Sequence, residues 1–328
     1  MLDGIKLIDI QAETRYPIVS AYEFEFLKGE EEVKERLKGC TVYCIVQRPL
    51  MWFQNITMGQ GVINFEILDG INKPLVCRFD LAEAEIMEAG GLVQVEIQYY
   101  KDEPDEYPPY MDVAAFKILS DDGKFILWET PQKFLYEVIV NGLPADIEGD
   151  IEPYLEYHVH YIGKAWSQEI WERLTGHEKL QKILTLEDAI SLQSRKTSFE
   201  IAILLLDIVG FDEANLIGGY EFAIPKGVKP ILFEMKNEEE MDKFFNQPII
   251  KPRAPELTSE VEALLIHLFR PQYNDVLFQK YPNITKGTRS VGYTSASLTI
   301  NRMPVLLKTE YRPAAAMGDM KLEMEEDS

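Results

Sequence analysis

The sequence predicts an α+β fold in which a β-rich N-terminal domain precedes a second domain of alternating strands and helices. Over residues 1–130, segments such as "CTVYCIVQ", "GVINFEIL" and "GLVQVEIQYY" have the β-branched and aromatic composition of strands. From residue 131 onward, the pattern follows the order β, β, α, β, α, with a large insert before the last helix. A chain of 328 residues is long enough to give both domains a hydrophobic core.

The N-terminal domain, residues 1–130, is predicted to serve recognition or docking. "GEEEVKERLKG" has the charged composition of a helix, and "DVAAFKILSDDGKFILWET" is typical of a β hairpin that turns at Asp121-Asp122-Gly123. This region has 12 basic and 24 acidic residues, a net charge of −12, and no catalytic constellation. We therefore expect it to offer an acidic docking surface to a protein partner.

The second domain is predicted over residues 131–284, with an insert at about 207–258. "KFLYEVIVNG" and "EYHVHYIGKA" are strand-like, a helix follows over residues 167–184, and "SFEIAILLLDI" reads as a buried strand. The last helix, residues 259–269, ends before Pro271. Beyond it, "SVGYTSASLTI" and "PVLLKTEYR" predict a C-terminal hairpin within residues 285–316, and the charged tail, 317–328, is expected to be disordered.

The charge of the chain restricts the function classes. A net charge of −22 repels nucleic acid at long range, which argues against a general nucleic-acid coat protein. The acidity is uneven, because residues 251–316 have nine Lys and Arg against five Asp and Glu. A local basic surplus therefore lies within an acidic protein.

Cysteine content and hydropathy indicate the compartment. Cys40, Cys44 and Cys77 do not form a disulfide framework, and we interpret Cys40 and Cys44 as buried small residues rather than half of a metal site. The first residues carry no signal-peptide pattern, so we expect a cytoplasmic protein. The longest apolar run, "IAILLLDIVG" from Ile201, has about half the length needed to cross a bilayer, so we expect no membrane partner.

Polar residues of chemical interest gather on the predicted first helix of the second domain. Arg173 and His177 are four residues apart and would share one helix face. The alternative is that His177 lies at the edge of the core, because Ile170, Leu174 and Leu184 follow the same apolar spacing.

Glu262 stands in a strongly apolar helical segment, "TSEVEALLIHLF". An unpaired buried carboxylate is costly, so such a residue usually has a cationic partner or a metal. The alternative is that Glu262, in the first turns of the helix, is simply solvated.

His158 and His160 alternate on a predicted strand and would share one face, as metal ligands do. Because no third ligand is close in the sequence, we favour a strand face that packs or lines a groove.

Taken together, these segments resemble the GIY-YIG nuclease family. Tyr161-Ile162-Gly163 stands as the second half of the family motif, and the following Lys164-Ala165 matches the "GKA" of its excision-repair incision nucleases. "RLTGH" is similar to the Arg-x-x-x-His of some members, homing endonucleases among them. "EALLIHLFRPQYN" resembles the metal-binding Glu helix, in which Glu262 is followed by Leu-Ile, Pro, an aromatic residue and Asn274.

The resemblance covers residues 133–274 and implies the family's β-β-α-β-α fold around a small three-stranded sheet. The first triplet of the motif, normally Gly-Ile-Tyr, would be Phe134-Leu135-Tyr136, which lacks the glycine. The loop from this triplet to Tyr161 is longer than usual, and a large insert separates the third strand from the Glu helix.

By resemblance the chain would be a metal-dependent endonuclease that hydrolyses phosphodiester bonds of nucleic acid, DNA in preference to RNA. Glu262 would hold one Mg²⁺ or Mn²⁺ ion, and Arg173 would offer its planar fork of donors to the phosphate oxygens. The other implied site residues handle the attacking water or support the site: Tyr136, Tyr161, Lys164 and His177 for the water, and Gly163 and Asn274 for support.

A second hypothesis keeps the same fold without the activity. The missing glycine and the acidic surface favour a catalytically degenerate GIY-YIG fold that acts as a binding or scaffolding module. The complete set of Tyr, Arg, His, Glu and Asn favours the nuclease.

Overall fold

The computed structural model describes residues 7–20, 23–24, 27, 29–88, 91–100, 104–165, 170–174, 178–194, 198–213, 255–278, 284–291, 295–316 and 320–322. Within these ranges the protein is a mixed α+β fold, mostly strands, in two sheets. None of the helices described there is long and apolar enough to cross a membrane.

The larger sheet contains nine of the described strands: β1 (Leu7–Thr14), β2 (Val19–Ser20), β3 (Cys40–Pro49), β11 (Glu156–Lys164), β12 (Phe199–Glu213), β13 (Ser295–Asn301), β14 (Leu306–Lys308), β15 (Ala315–Ala316) and β16 (Met320–Leu322). Their order is β15-β14-β11-β3-β12-β1-β13-β16, with β2 paired to β12. At its centre, β3 pairs antiparallel with β11 on one side and with β12 on the other.

The second sheet contains seven described strands: β4 (Trp52–Gly59), β5 (Val62–Leu68), β6 (Leu75–Asp80), β7 (Val93–Tyr99), β8 (Val113–Ser120), β9 (Phe125–Glu129) and β10 (Asp146–Glu148). Their order is β10-β6-β5-β4-β8-β7, with β9 paired to β8. All of their pairings are antiparallel.

Five α-helices are described: α1 (Glu31–Leu37), α2 (Pro131–Asn141), α3 (Ile170–Leu174), α4 (Glu178–Ser194) and α5 (Pro255–Phe269). Helix α5 packs on one face of the nine-stranded sheet, in a cluster that we name the α5 core. Helices α1, α3 and α4 contribute to a second cluster with side chains from the same sheet, which we name the α4 core. Helix α2 covers the seven-stranded sheet.

The nine-stranded sheet curls around α5. Strands β13 and β14 are joined by residues 302–305, although β1, β12, β3 and β11 stand between them in the sheet. Five strand spacings would measure about 24 Å across a flat sheet, whereas the link reaches about 18 Å at full extension. Curling lets strands from both ends of the sheet contact α5, and Leu298 and Leu307 both lie in the α5 core.

The seven-stranded sheet and α2 lie in the chain between β3 and β11, over residues 50–155. Strands β1 to β3 come from the predicted N-terminal domain but belong to the nine-stranded sheet. Helix α2 and β10 come from the predicted second domain but pack or pair with the seven-stranded sheet. The predicted division at residue 130 therefore does not separate the two sheets.

Segment 133–142, predicted as the first strand of the second domain, is helical up to Asn141, where α2 ends. Pro131 occupies the first turn of α2, where a backbone N–H has no partner within the helix, so the proline costs no hydrogen bond. Gly142 ends the helix at φ 71°, with its N–H bonded to the Glu137 carbonyl. Phe134 and Val138, one turn apart, face the core of the seven-stranded sheet. The β-branched residues of the segment favoured a strand, and this tertiary packing overrides that propensity.

The C-terminal prediction is also corrected. Strand β13 pairs with β1 and β16, whereas β14 pairs with β11 and β15, so the two predicted strands form no hairpin. Residues 320–322 of the tail, which was expected to be disordered, form β16. The sheet that contains Tyr161 has nine described strands and not the three implied by the resemblance, because β1 and the C-terminal strands extend it on both sides.

Other elements agree with the sequence. The helix around residue 30, the β8–β9 hairpin and the buried strand from Phe199 are present as α1, antiparallel β8–β9 and β12. The helix predicted over 167–184 corresponds to α3 and α4, and the Glu helix to α5. Of the predicted insert at 207–258, residues 207–213 lie in β12, residues 214–254 lie outside the described ranges, and residues 255–258 begin α5.

Replacing Phe134 with alanine tests the position of α2. Phe134 is fully buried and its ring contacts those of Phe65 and Phe79 edge-on, with centroids 5.0 and 5.6 Å away. We expect Phe134→Ala to lower the free energy of unfolding by about 3–5 kcal/mol, as measured by chemical denaturation. Phe125→Ala is the control, because Phe125 is 63% exposed and its loss should change stability by less than about 0.5 kcal/mol. Equal effects of the two changes would contradict the packing of α2.

Candidate active site

A β-bulge in β11 determines which side chains face each side of the nine-stranded sheet. The β11–β3 register shifts between Val159 and Tyr161. Val159 and Ile162 lie in the α5 core, while Tyr161 packs against the α4 core. Without the extra residue, the alternation of a strand would put Tyr161 on the same face as Val159.

Gly163 is required because two tyrosine rings lie over it. Gly163 is directly opposite Tyr43 of β3 in the antiparallel register. A Cβ atom at residue 163 would be 2.6 Å from the Tyr43 hydroxyl oxygen and 2.7 Å from Cε1 of Tyr161. A Cβ at these distances would force the rings to move, so glycine is what allows both rings to approach the strand.

The two tyrosines form a contact that links β3 to β11. Their ring centroids are 6.1 Å apart with an interplanar angle of 41°, and their hydroxyl groups are hydrogen-bonded. Tyr43 is fully buried, whereas Tyr161 is partly exposed. The site thus has one inner and one outer phenol.

The pKa values of both phenols are raised. Burial raises the pKa of Tyr43, and the Tyr161 phenol adds to this rise. Burial also raises the pKa of Tyr161, assisted by the negative charge of Glu262. Arg173, on α3, opposes both shifts and also hydrogen-bonds to Tyr43. Both phenols therefore ionise less readily than an ordinary tyrosine, which suits the positioning of water better than proton abstraction.

Glu262 has a cationic partner, as the sequence predicts for a carboxylate in an apolar helix. Its Oε2 atom is 2.8 Å from Nζ of Lys164, the last residue of β11, and only 15% of the Glu262 side chain is exposed. Lys164 also donates a hydrogen bond to Ser259 Oγ at 3.0 Å. Ser259 is one helical turn before Glu262, so the ammonium group bridges two residues on one face of α5.

The donor set fits a metal held by a single carboxylate. Among the described residues, no group of three or more His, Cys, Asp or Glu side chains could surround an ion. Mg²⁺ retains several waters and takes other ligands from phosphate groups, so one carboxylate such as Glu262 suffices on the protein side. Lys164 occupies one oxygen of that carboxylate in this structure.

The Asn274 side chain supports strand β11 by hydrogen bonds to the backbone of the strand. Its side chain accepts a hydrogen bond from the Ile162 N–H at 2.9 Å and donates one to the Ile162 carbonyl at 2.8 Å. Strand β14 pairs only with residues 156–158 of β11, so Asn274 occupies the position of a neighbouring strand beside Ile162. It thereby fixes the backbone between Tyr161 and Gly163.

Tyr136, predicted to complete the first motif triplet, lies elsewhere. It is buried on α2, with its hydroxyl 3.3 Å from Thr14 Oγ1, and lines a cavity with residues of the nine-stranded sheet such as Thr14 and Tyr157. The tyrosine that faces Gly163 is Tyr43, in the segment Thr41-Val42-Tyr43. The sequence signal for Tyr43 is a tyrosine in a strand-like segment. The prediction instead assumed that the two strands of the motif follow one another in the sequence, as paired strands usually do.

The remaining predicted residues have different outcomes. Arg173 is exposed and reaches Tyr43. His177 lies outside the described residues. His160 is buried with Nε2 3.1 Å from Gln47 Oε1, and burial, with a smaller effect from His158, lowers its pKa to about 3. This neutral imidazole fits the packing interpretation of the His158–His160 face, whose rings are 4.8 Å apart.

The cysteines are free and buried. Cys40 lies in the α4 core and Cys44 in the α5 core, so the two residues of β3 cannot share a metal ion. This outcome agrees with their interpretation as small buried residues.

Comparison of the chain with models of known protein families, with curated proteins and with solved structures finds no match in any of the three. What the site can do must therefore be argued from its own geometry.

The fit at Gly163 gives a direct prediction. We expect Gly163→Ala to destabilise the protein by about 1–3 kcal/mol, because the added methyl group must displace the rings of Tyr43 and Tyr161. Gly59→Ala is a matched control, since a Cβ there meets no atom within 4 Å. Thermal and chemical denaturation of both variants measure the difference. Identical stabilities would show that the rings do not cover Gly163.

Proposed function

We propose that this protein is a metal-dependent endonuclease of the GIY-YIG type that hydrolyses phosphodiester bonds of nucleic acid, with DNA as its substrate. The proposal is carried by one observation: Tyr43 and Tyr161 meet over Gly163. The charge of Arg173 acts on both phenols, and the charge of Glu262 acts on Tyr161. Two phenols, a guanidinium and a carboxylate thus gather from β3, β11, α3 and α5.

Hydrolysis of a phosphodiester needs an oriented water and stabilisation of the charge that develops on the phosphate. The hydroxyl of Tyr161, the partly exposed phenol, would hold the water by a hydrogen bond, and the buried Tyr43 hydroxyl would orient that of Tyr161. Arg173, exposed at the site, would bind the phosphate oxygens through its planar fork. An Mg²⁺ or Mn²⁺ ion, when bound, would supply charge stabilisation at the phosphate and leaving oxygens.

Glu262 would hold that ion, and Lys164 would hold the carboxylate in place until then. The Lys164 ammonium at 2.8 Å compensates a carboxylate whose side chain is largely buried. Lys164 would therefore act as a positioning residue for Glu262, and Asn274 as a positioning residue for Tyr161.

Glu262→Gln tests the role assigned to Glu262. The variant preserves size and hydrogen bonding but removes the charge, so nicking of supercoiled plasmid in Mg²⁺ should fall by at least about 100-fold. Glu256→Gln, on the first turn of the same helix, is the matched control and should retain activity. Both variants should be purified in parallel with the wild-type protein, so that a contaminating nuclease affects all three samples. Equal nicking by the wild type and Glu262→Gln would exclude Glu262 from catalysis.

Two phenylalanine variants distinguish the two candidate tyrosines. Tyr43→Phe removes the hydroxyl beside Gly163 and should lower the rate of nicking by about 100-fold, the lower range for the loss of one preorganised hydrogen-bond donor. Tyr136→Phe removes a hydroxyl that contacts Thr14 and should preserve the rate. Melting temperatures of both variants separate loss of activity from loss of folding. The opposite result would restore Tyr136 to the site.

A binding module without activity is the second candidate. It is favoured by the net charge of −22 and by the ion pair in which Lys164 already occupies Glu262. Under this alternative, the wild-type protein would cut none of the plasmid, linear DNA or RNA offered to it in Mg²⁺ or Mn²⁺.

A further inference from the structure

Two lysines lie on helix α4 beside the tyrosine pair. Lys179 and Lys182 are three residues apart and share a helix face, while Leu180 and Ile183 anchor α4 in the core that contains Tyr43. The positive charge of Lys179 acts on the Tyr161 phenol. The Lys182 ammonium is 5.7 Å from the centroid of the Tyr273 ring. We name this pair of lysines the α4 strip.

Asp275 occupies one end of the α4 strip. The Lys179 ammonium donates to both of its carboxylate oxygens, at 3.0 and 2.9 Å. The Asp275 side chain is 81% exposed, whereas that of Lys179 is 25% exposed. Two oxygens around one ammonium reproduce what a phosphate group offers through its non-bridging oxygens. Because the pair is open to solvent, an incoming anion can exchange for Asp275.

The strip continues the cationic part of the candidate site. Arg173 and Lys164 stand at the tyrosines and at Glu262, where the reacting phosphate would bind. One helical turn advances by about 5.4 Å, and phosphates of one strand follow every 3.4 Å or so of duplex axis. Two flexible lysine side chains one turn apart can therefore contact neighbouring phosphates.

We propose that Lys179 and Lys182 bind the phosphodiester backbone of nucleic acid next to the reacting phosphate, and that Asp275 covers this strip in the free protein until the backbone displaces it. The inference rests on the proposed function, whose substrate it positions. It assigns Asp275 an inhibitory role, since its carboxylate competes with phosphate for Lys179. In a chain of net charge −22, this competition would suppress weak binding to arbitrary anions.

The test measures binding and not cutting. The full-length Glu262→Gln protein is titrated into a short fluorescein-labelled DNA duplex, and into the matching single strand, at a series of NaCl concentrations, with fluorescence anisotropy as the readout. Adding Lys179→Met and Lys182→Met should weaken binding by about tenfold and reduce the slope of log K against log salt by about 2, because two phosphate contacts are lost. Adding Asp275→Asn should instead strengthen binding by about two- to fivefold, the range expected when an exposed ion pair is released.

The Lys124–Asp122 pair provides matched controls. These residues form an exposed ion pair of 2.5 Å at the β8–β9 turn, in the other sheet. Lys124→Met and Asp122→Asn change the net charge of the chain by the same amount per residue as the α4 variants. These two variants should leave the affinity for the DNA probes and the slope of log K against log salt unchanged. An effect seen only in the α4 variants would then come from a local contact and not from the net charge of the chain. Melting temperatures confirm that the α4 variants are folded.

The outcomes distinguish this inference from the proposed function. If the α4 and control variants bind equally, or if the Glu262→Gln protein binds neither probe at the lowest salt, the α4 strip is not a phosphate-binding surface. If binding depends on Lys179 but the wild-type protein cuts no nucleic acid, the strip is supported and the proposed activity fails. If the wild-type protein cuts and its binding ignores Lys179, the activity is supported and the strip fails.

Discussion

The antiparallel pairing of β3 with β11 is the constraint on which the candidate site depends. It places Gly163 opposite Tyr43, and the absence of a side chain at Gly163 allows Tyr43 and Tyr161 to close over the strand. The two strands are separated in the chain by a complete seven-stranded sheet and α2, so their pairing is a non-local contact that carries the entropic cost of closing a long loop. The bulge beside Val159 then turns Tyr161 towards the α4 core while Ile162 remains in the α5 core. A change that shifts this register by one residue would move every side chain of β11 to the opposite face.

The parts of the site that short sequence patterns describe could be predicted. The strand with Tyr161 and Gly163, the helix with Arg173 and the helix with Glu262 are each local features, and each has the expected type of secondary structure. Tyr43 could not be found in this way, because its relation to Gly163 exists only through the pairing of β3 with β11. The choice of Tyr136 followed from taking the nearest preceding strand-like segment as the partner. That segment is helical because Phe134 and its neighbours on α2 bury one face against the seven-stranded sheet, which local propensity does not report.

Charge compensation is the second organising feature of the site. Burial alone raises the pKa values of Tyr43 and Tyr161, and Glu262 raises that of Tyr161 further, while Arg173 opposes both effects. Glu262 is itself compensated by Lys164. A cation therefore faces every anionic or potentially anionic group of this cluster, so it can be partly buried without an uncompensated charge. The same arrangement makes both phenols harder to ionise than an ordinary tyrosine, which favours hydrogen bonding over proton abstraction at neutral pH.

The acidity of the chain does not by itself decide against an anionic substrate. At physiological ionic strength the field of exposed charges decays over about 8 Å, so carboxylates beyond this distance contribute little at the moment of contact. Within this distance, the nearby charges determine whether a phosphate is attracted. Lys164, Arg173 and Lys179 stand close enough to Tyr161 or Glu262 to act on them. Long-range repulsion would instead slow the approach of nucleic acid, an effect on association that added salt weakens. Short-range attraction of phosphate would weaken with salt as well, by an amount that grows with the number of contacts. An acidic surface around a small basic site therefore predicts slow, selective binding rather than none.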